Sequence, residues 1–127
     1  MSKRLPRFKD ITDLVSDVFY LPMTSVHIVK ALALTQRALS VTDIMKNVKR
    51  SERSIRASLV KLVKKGILKR KVQVTDNKRL SYVYFLGPLD RLVKVTRREI
   101  LNQLERLERI EGNYTDRPYK VKDATKD

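Results

Sequence analysis

Residues 46–71 read KNVKRSERSIRASLVKLVKKGILKRK, and this stretch combines a dense run of cations with the apolar spacing of a helix. Eleven of its 26 residues are Lys or Arg, and only Glu52 is acidic. Four apolar residues nevertheless recur at i, i+4, i+7 and i+8, the stripe by which a helix packs on a core: Ile55, Leu59, Leu62 and Val63. The spacing predicts a helix over residues 51–65, with Ser51 as its N-cap and Gly66 as the residue that ends it. The stretch is therefore predicted to be a folded helix with a strongly basic exposed side.

The positive charge of the chain is concentrated around this helix. The chain has 127 residues, 42% of them hydrophobic, which is enough for one domain with a core. Its net charge of +15 indicates a polyanionic partner or an anionic membrane surface. Residues 46–79 hold 13 Lys and Arg against two acidic residues, whereas residues 88–111 hold six cations and five anions. No apolar run approaches the roughly 18 residues of a membrane span and no signal-peptide pattern is present, so we expect a soluble cytoplasmic protein with no membrane partner.

The residue types that most enzymes and metal sites need are scarce. The chain has no cysteine, which excludes disulfides, thiol catalysis and Cys-ligated metals. Its single histidine, His27, cannot build a metal site alone. There is no Gly-rich phosphate loop and no recognisable pair of catalytic carboxylates. We therefore expect no enzymatic activity, no metal and no cofactor.

Two helices and a short third helix are predicted before the basic helix. Residues 1–9 are basic and contain a proline, so we expect a flexible arm. Residues 10–21 carry five apolar positions on one helical face, and a second apolar stripe predicts a helix over 25–38. In LSVTDIMKNV, Ser40 precedes Asp43 by three residues, the spacing of a capping box at the start of a short helix.

A β-hairpin and a long helix are predicted after the basic helix. The runs ILKRKVQV and LSYVYFL are rich in β-branched and aromatic residues, and the turn TDNKR joins them into a hairpin with a basic tip over 74–80. A helix is expected over 88–111, ended by Gly112 and followed by a disordered tail over 112–127. Its heptad positions predict a dimerisation seam: Leu89, Val93, Thr96, Ile100, Gln103, Leu107 and Ile110.

This order of elements predicts a mainly α fold with a small β-hairpin wing. It is a winged helix-turn-helix domain over residues 10–87, followed by a long C-terminal, coiled-coil-like dimerisation helix over 88–111. A helix about 10–12 Å across fits the major groove of DNA, which is about 12 Å wide. Helix 51–65 can pack on the core by its apolar stripe and present its cations to double-stranded DNA.

The segment LSVTDIMKNVKRSERSIRASLVKLVKKGILKRK, followed by DNKRLSYVYFL, resembles the small archaeal winged-helix transcription regulators. This is the branch related to the MarR, TrmB and Lrp-type regulators, and it includes archaeal biofilm and motility regulators. The resemblance covers about residues 24–111 and implies a homodimer joined through terminal helices. Two positions depart from the family pattern. Arg50 stands where an apolar residue is common, and Glu52 stands where a cation is common; Glu52 could accept from cytosine N4 or repel the DNA backbone.

The candidate DNA-binding residues lie at the start of the basic helix and at the wing tip. They are Lys49, Arg50, Ser51, Glu52, Arg53, Ser54, Arg56, Ala57, Lys61, Lys78 and Arg79. For the arginines the alternative is a solvated helix face. For the wing pair it is a charged tip that discourages strand pairing. Three hydroxyl residues beside the wing cations are candidates for phosphorylation, which would cancel wing charge, or else they pack the wing: Ser81, Tyr82 and Tyr84.

Three functions are compatible with these patterns. The first is a nucleoid-associated, homodimeric transcription regulator whose two basic helices enter successive major grooves of an inverted repeat. The second is an architectural chromatin protein that coats DNA without reading bases. The third is a winged helix that docks on other proteins. RNA binding is less expected, because no aromatic stacking platform is visible in the strands.

Overall fold

A computed structural model describes residues 4–113 of the chain. Five helices and three strands follow one another in this part: α1 (Arg4–Val18), α2 (Met23–Thr35), β1 (Leu39–Ser40), α3 (Val41–Asn47), α4 (Glu52–Lys64), β2 (Leu68–Val74), β3 (Leu80–Leu86) and α5 (Leu89–Asn113). The three strands form one antiparallel sheet in the order β1-β3-β2. This arrangement confirms the predicted mainly α fold with a small β-wing and a long C-terminal helix.

The core lies where α2, α3 and α4 meet the base of the sheet and the first half of α5. The largest fully buried apolar side chains come from all of these elements: Ile28, Leu32, Ile44, Ile55, Leu59, Leu62, Ile67, Leu68 and Leu92. Three of the four residues in the predicted stripe of the basic helix are among them, and Val63 is partly buried against the same cluster. Each fully buried side chain of this size contributes about 1.5–3 kcal/mol relative to exposure. The stripe therefore determines which side of α4 faces the core and which side faces solvent.

Local capping fixes the ends of the two helices of the helix-turn-helix. At α3 the backbone N–H of Asp43 donates to Ser40 Oγ at 3.1 Å, and Ser40 N–H donates to the Asp43 carboxylate at 3.4 Å, which confirms the capping box. At the end of α4, Gly66 has φ +83°. Ile67 N–H there donates to Leu62 O at 3.1 Å, the bond pattern of a Schellman motif. This motif turns the chain directly into β2.

Strand β1 was not predicted. Leu39 and Ser40 pair with Tyr84 and Val83 of β3, so they add a third strand to the expected hairpin. Two residues are too few to show a period-2 pattern, and the strand exists because β3 offers a free edge beside it. The pairing attaches the start of α3 to the wing.

The helix boundaries differ from the prediction at both ends of the chain. Helix α1 begins at Arg4, so the flexible arm predicted over 1–9 is wrong for residues 4–9, and residues 1–3 lie outside the described range. Pro6 falls in the first turn, where a missing N–H breaks no helical hydrogen bond. The helix stops at Val18 instead of residue 21, because Tyr20 takes φ +52° two residues before Pro22.

The second helix is shifted toward the N-terminus, and the last helix is longer than predicted. Helix α2 covers Met23–Thr35 in place of 25–38, ending at Gln36 with φ +54°. Helix α5 continues to Asn113, so Gly112 does not end it. Glycine inside a helix costs only about 1 kcal/mol relative to alanine, too little to end a long helix by itself. The tail predicted over 112–127 is thus wrong at 112–113, and residues 114–127 lie outside the described part of the chain.

Candidate nucleic-acid interface

Helix α4 has two sides of opposite chemistry. Its buried side consists of Ile55, Ser58, Leu59 and Leu62. Ser54 and Val63 are half-buried, and the other positions point outward. Most of these outward positions are predicted DNA-binding residues: Glu52, Arg53, Arg56, Ala57, Val60, Lys61 and Lys64. Helical periodicity alone produces this separation, because residues three and four apart share a face. The cations are therefore held outward by the same packing that buries the apolar stripe.

The start of α4 is fixed by two serine hydroxyls. Ser51 Oγ accepts from the backbone N–H of Ser54 at 3.1 Å, which confirms Ser51 as the N-cap. The Ser54 hydroxyl lies 3.5 Å from the Thr24 hydroxyl at the start of α2, and Ser54 is half-buried. Ser54 was expected on the exposed face, but its position on α4 turns it toward α2. Ser51 remains exposed beside the free N–H groups of the helix start, a place suited to a phosphate oxygen.

Glu52 has a partner that sequence reasoning missed. Its Oε2 accepts from Arg56 Nε at 2.7 Å across one helical turn. Both side chains are largely exposed, so the pair contributes little to stability, about 0.3–0.5 kcal/mol. Its effect is geometric, since it orients the arginine through Nε and leaves both terminal nitrogens without a partner among residues 4–113. The spacing of four residues between Glu52 and Arg56, which brings opposite charges together on a helix, could have predicted this ion pair.

The other predicted cations before and along α4 are exposed and unneutralised. Lys49, Arg50, Arg53 and Lys61 form no ion pair with any residue in the described part of the chain. The Arg50 side chain donates to the backbone carbonyl of Lys49 at 3.1 Å, a local bond that leaves its charge uncompensated. Uncompensated cations on a rigid, capped helix create a local positive potential that a polyanion can neutralise.

Val60 is a further exposed residue of α4 that the prediction left out. It is 62% exposed and lies four residues after Arg56 and seven after Arg53, on the same side of the helix. A branched apolar side chain among cations can contact a thymine methyl group in the major groove. The sequence already placed Val60 outside the spacing of the buried stripe, so its exposure could have been predicted.

The wing tip is a closed turn that presents two cations. Thr75 N–H donates to Arg79 O at 2.8 Å, and Thr75 Oγ1 accepts from Arg79 N–H at 3.1 Å. Lys78 N–H donates to Thr75 O at 2.8 Å, and Lys78 has φ +60°, which is uncommon for a residue with a side chain. These bonds hold the exposed side chains of Lys78 and Arg79 at the end of the hairpin.

Strand β2 adds cations that were not among the predicted site residues. Lys69, Arg70 and Lys71 are all exposed, and the Arg70 guanidinium lies 4.3 Å from the centre of the Tyr82 ring. A cation this close to a tyrosine ring is attracted to its face. The run of cations in this strand was visible in the sequence, but it did not show which of their side chains would face outward.

The three candidate phosphorylation sites differ in accessibility. Tyr82 is 43% exposed, Ser81 is half-buried, and Tyr84 is only 8% exposed within the core cluster. The even-numbered positions of β3 share one face, and that face passes from the core at its base to solvent near the tip. Tyr82 is therefore the accessible hydroxyl beside the wing cations.

The predicted heptad of α5 divides between two surfaces. Thr96 is 3% exposed and donates to Leu92 O at 2.7 Å. Gln103 donates to Val18 O of α1 at 2.7 Å and to Glu99 at 3.2 Å. These polar heptad residues thus serve packing within the chain, whereas sequence reasoning treated them as register-setting positions between two chains.

The apolar heptad residues of α5 are mostly exposed. Leu89, Ile100, Leu107 and Ile110 face solvent in the single chain, and Val93 is half-buried. Two leucines that the heptad omitted are also exposed: Leu101 and Leu104. The second half of α5 therefore carries several uncovered apolar side chains on one helix, more than isolated surface residues would explain.

Within residues 4–113, no helix is both long enough and apolar enough to cross a bilayer. The same residues contain no cluster of three or more His, Cys, Asp or Glu side chains that could hold a metal ion.

Solved structures share this architecture. A possible transcriptional regulator from Methanosarcina mazei Go1 has a TM-score of 0.68 at 19% sequence identity, covering 82% of this chain and 88% of that one. The ST1889 protein of the thermoacidophilic archaeon Sulfolobus tokodaii has a TM-score of 0.60 at 19% identity, covering 80% and 95%. MepR of S. aureus, solved as a DNA complex, has a TM-score of 0.50 at 21% identity, covering 84% and 86%.

Sequence comparison alone finds no such likeness. No protein-family model matches the sequence, and no curated protein matches it. The structural likeness at this low identity establishes the fold, a winged helix-turn-helix with a long C-terminal helix.

Proposed function

We propose that the protein is a DNA-binding transcription regulator that acts as a homodimer. In this proposal α4 enters the major groove of double-stranded DNA, and the wing over 74–80 lies on the adjacent groove or the backbone. The observation that carries the proposal is the two-sided chemistry of α4: a buried apolar stripe opposite an exposed face on which four cations outnumber one acidic residue, Glu52. The MepR structure, which has the same fold, was solved bound to DNA.

The electrostatics of the surface fit a duplex. Cations at the start of α4, along β2 and at the wing tip come from one domain whose parts are held by capping and strand pairing. Lys and Arg side chains neutralise phosphates and release condensed counterions, which supplies most non-specific affinity. This part of the proposal explains why a helix carries so much positive charge.

Base reading distinguishes a regulator from a DNA coat, and α4 has suitable side chains for it. Arg53 and Arg56 can each present a fork of donors to guanine O6 and N7. Arg56 is oriented by Glu52, and Val60 supplies an apolar surface beside them. A protein that only coats DNA gains nothing from an anion and a valine within its basic face. These residues favour a regulator over the architectural alternative.

The dimer in this proposal forms through α5. This helix has 25 residues and spans about 37 Å at 1.5 Å per residue. Its exposed apolar side chains would be covered by the same helix of a second copy, in a symmetric interface. Two copies would then place two α4 helices on successive major grooves about 34 Å apart, so the target would be an inverted repeat.

The same proposal covers the location of the protein, its family and its modification. We place the protein in the cytoplasm, associated with the nucleoid, and among the small archaeal winged-helix regulators. Two of the structures that share its fold come from archaea, which supports this branch. Tyr82 is its proposed phosphorylation site, because this hydroxyl is exposed beside Arg70 and the wing cations.

Footprinting of the full chain on genomic DNA fragments tests the proposal. Discrete protected segments with two-fold symmetry are expected, and they should persist in the presence of excess non-specific competitor. Uniform protection along every fragment would support the architectural protein instead. Absence of protection at physiological salt would contradict both and favour a winged helix that docks on proteins.

A further inference from the structure

A basic groove lies on the domain at the opposite end of α4 from Ser51. It has a volume of about 560 Å³ and runs between the end of α4 and the first half of α5. Its walls include five cations: Lys64, Lys65, Arg91, Lys94 and Arg98. Phe19 and Val95 add apolar wall. Twelve residues separate Glu52 from Lys64, about 18 Å along the helix axis, so the groove is remote from the predicted base-reading end.

The cations of this groove have no carboxylate partners in the described part of the chain. Glu99 is the one acidic residue among the groove walls. Its Oε2 accepts from Gln103 at 3.2 Å and lies 3.8 Å from Arg106, a residue outside the groove. The five groove cations take part in no ion pair among residues 4–113. The groove is therefore a concentrated, uncompensated positive site.

Arg91 gives this site a specific geometry. Its Nε is buried and has no hydrogen-bond acceptor within residues 4–113. The side chain passes tightly by Gly87, where an added Cβ would lie 2.9 Å from Arg91 Cδ, and it ends near Gly66, where an added Cβ would lie 3.9 Å from Nη2. A Cβ at Gly87 would collide with the Arg91 side chain, whereas one at Gly66 would make only an ordinary contact, so Gly87 is the glycine that the path of this side chain requires. Buried polar groups usually have a partner, and the described chain supplies neither an acceptor for this Nε nor a carboxylate for the charge of Arg91.

We propose that this groove binds a small, multiply charged phosphorylated molecule. Five cations against one occupied carboxylate exceed what a single carboxylate ligand would neutralise, and they suit an anion with several charges. The guanidinium fork of Arg91 or Arg98 matches two phosphate oxygens, while the lysines act as point charges. The volume is within the range of ligand sites in proteins.

The same chemistry occurs in the phosphodiesters of DNA, and the position of the groove argues for the free molecule. The groove is concave and lies beside α5, whereas the proposed duplex contacts, apart from Lys61 in the last turn of α4, lie at or just before the start of α4 and on the wing. The inference does not depend on DNA binding, since a phosphorylated ligand would bind here whether or not α4 contacts a duplex.

Titration calorimetry of the full chain with sodium tripolyphosphate, at fixed ionic strength, tests the site. One ligand is expected per groove. The double variant Lys94→Gln/Arg98→Gln should bind at least tenfold more weakly. These two side chains lie one turn apart on α5 without partners, so removing both charges relieves repulsion and should leave the fold intact by circular dichroism. Arg91→Lys, which keeps the charge and loses the fork, should also weaken binding.

The matched control is Arg97→Gln/Arg109→Gln, which removes two exposed cations of α5 outside the groove. It should change tripolyphosphate affinity by less than twofold. Equal weakening in the control would mean general charge attraction and would overturn the site, as would absence of binding to the unmodified protein. If the groove variant lost affinity for duplex DNA as strongly as for tripolyphosphate, the groove would belong to the DNA surface, and the inference would be wrong.

Discussion

Helices α4 and α5 are both amphipathic, but they leave different chemistry uncovered. Helix α4 buries three residues of its apolar stripe fully and Val63 partly, and it exposes cations. Helix α5 buries Leu92 and Thr96 in its first half, and it exposes apolar side chains among balanced charges in its second half. An exposed cationic face is well hydrated in water and is stabilised further by a polyanion, whereas exposed apolar side chains are stabilised only when another apolar surface covers them.

The contrast assigns one partner to each helix. DNA would bind through charge at α4, and a second copy of the chain would bind through apolar contact at α5. Salt, charge insertion and side-chain removal should therefore affect the two helices differently, which provides ways to separate them.

Salt should have the largest effect: it should weaken DNA binding and leave the α5 dimer intact. If a dimer neutralises roughly 8–12 phosphates, log K against log salt should have a slope of about −7 to −11. A fourfold rise in salt would then lower duplex affinity by a factor on the order of 10⁴ or more. Fluorescence anisotropy measures the slope, and sedimentation over the same salt range should show an unchanged dimer. A slope near −2 would contradict the electrostatic role of α4.

Lysines placed on the exposed side of α5 should break the dimer. Ile100→Lys/Leu107→Lys puts like charges where two copies would meet, while the α5 contacts of Thr96 and Gln103 within the chain remain. A monomer contacts only one half-site, and it loses the gain in affinity that comes from linking two DNA-binding domains. Duplex affinity should therefore fall by about 10²–10⁴-fold despite the added positive charge. Sedimentation and anisotropy measure the two effects.

A control with the same change in net charge is Glu105→Gln/Glu108→Gln, which removes two exposed carboxylates of α5 without altering its apolar residues. It should remain dimeric and bind DNA at least as tightly as the unmodified protein. A dimer that survives in the Ile100→Lys/Leu107→Lys variant would place the interface elsewhere, for example on α1.

Removing either arginine from the exposed face of α4 should cost affinity and base preference together. Arg53→Ala and Arg56→Ala should each lose about 1–3 kcal/mol at the base pairs they read, which is about 5- to 150-fold. Alanine is a good helix former, so α4 should persist. Arg97→Ala on α5 is the matched control and should have little effect. Equal losses of affinity on every duplex sequence would indicate that both α4 arginines contact only phosphates.

A negative charge on the wing should give the smallest effect. Tyr82→Glu places an anion beside Arg70 and should weaken duplex binding by about two- to fivefold, the scale of one exposed charge pair. Tyr82→Phe keeps the ring and should bind normally. Mass spectrometry of the native protein then asks whether Tyr82 carries phosphate. Normal binding by a folded Tyr82→Glu variant would remove the proposed control.

The sequence was sufficient for features that depend on local chemistry. Periodicity predicted the buried stripe of α4, and short-range capping rules predicted the Ser40–Asp43 box, the Ser51 cap and the Gly66 terminus. Each of these features involves residues within about one or two helical turns, where backbone geometry determines which residues are in contact.

Features that join distant segments were not predictable in the same way. Gln103 donates to Val18, 85 residues away, and this contact gives an apparent heptad position a role inside the chain. The basic groove likewise brings Lys64 of α4 and Arg91 of α5 together. Boundary errors at Arg4 and Gly112 arose because proline and glycine disfavour helices by amounts that position and length can outweigh.

Selection of bound duplexes from a random-sequence pool by the full chain tests the central claim most directly. The account predicts an enriched inverted repeat whose half-site centres lie about 10–10.5 base pairs apart, with base preference weakened at defined positions in Arg53→Ala. Tight binding without any enriched sequence would contradict base reading by α4 and leave a protein that recognises only the DNA backbone.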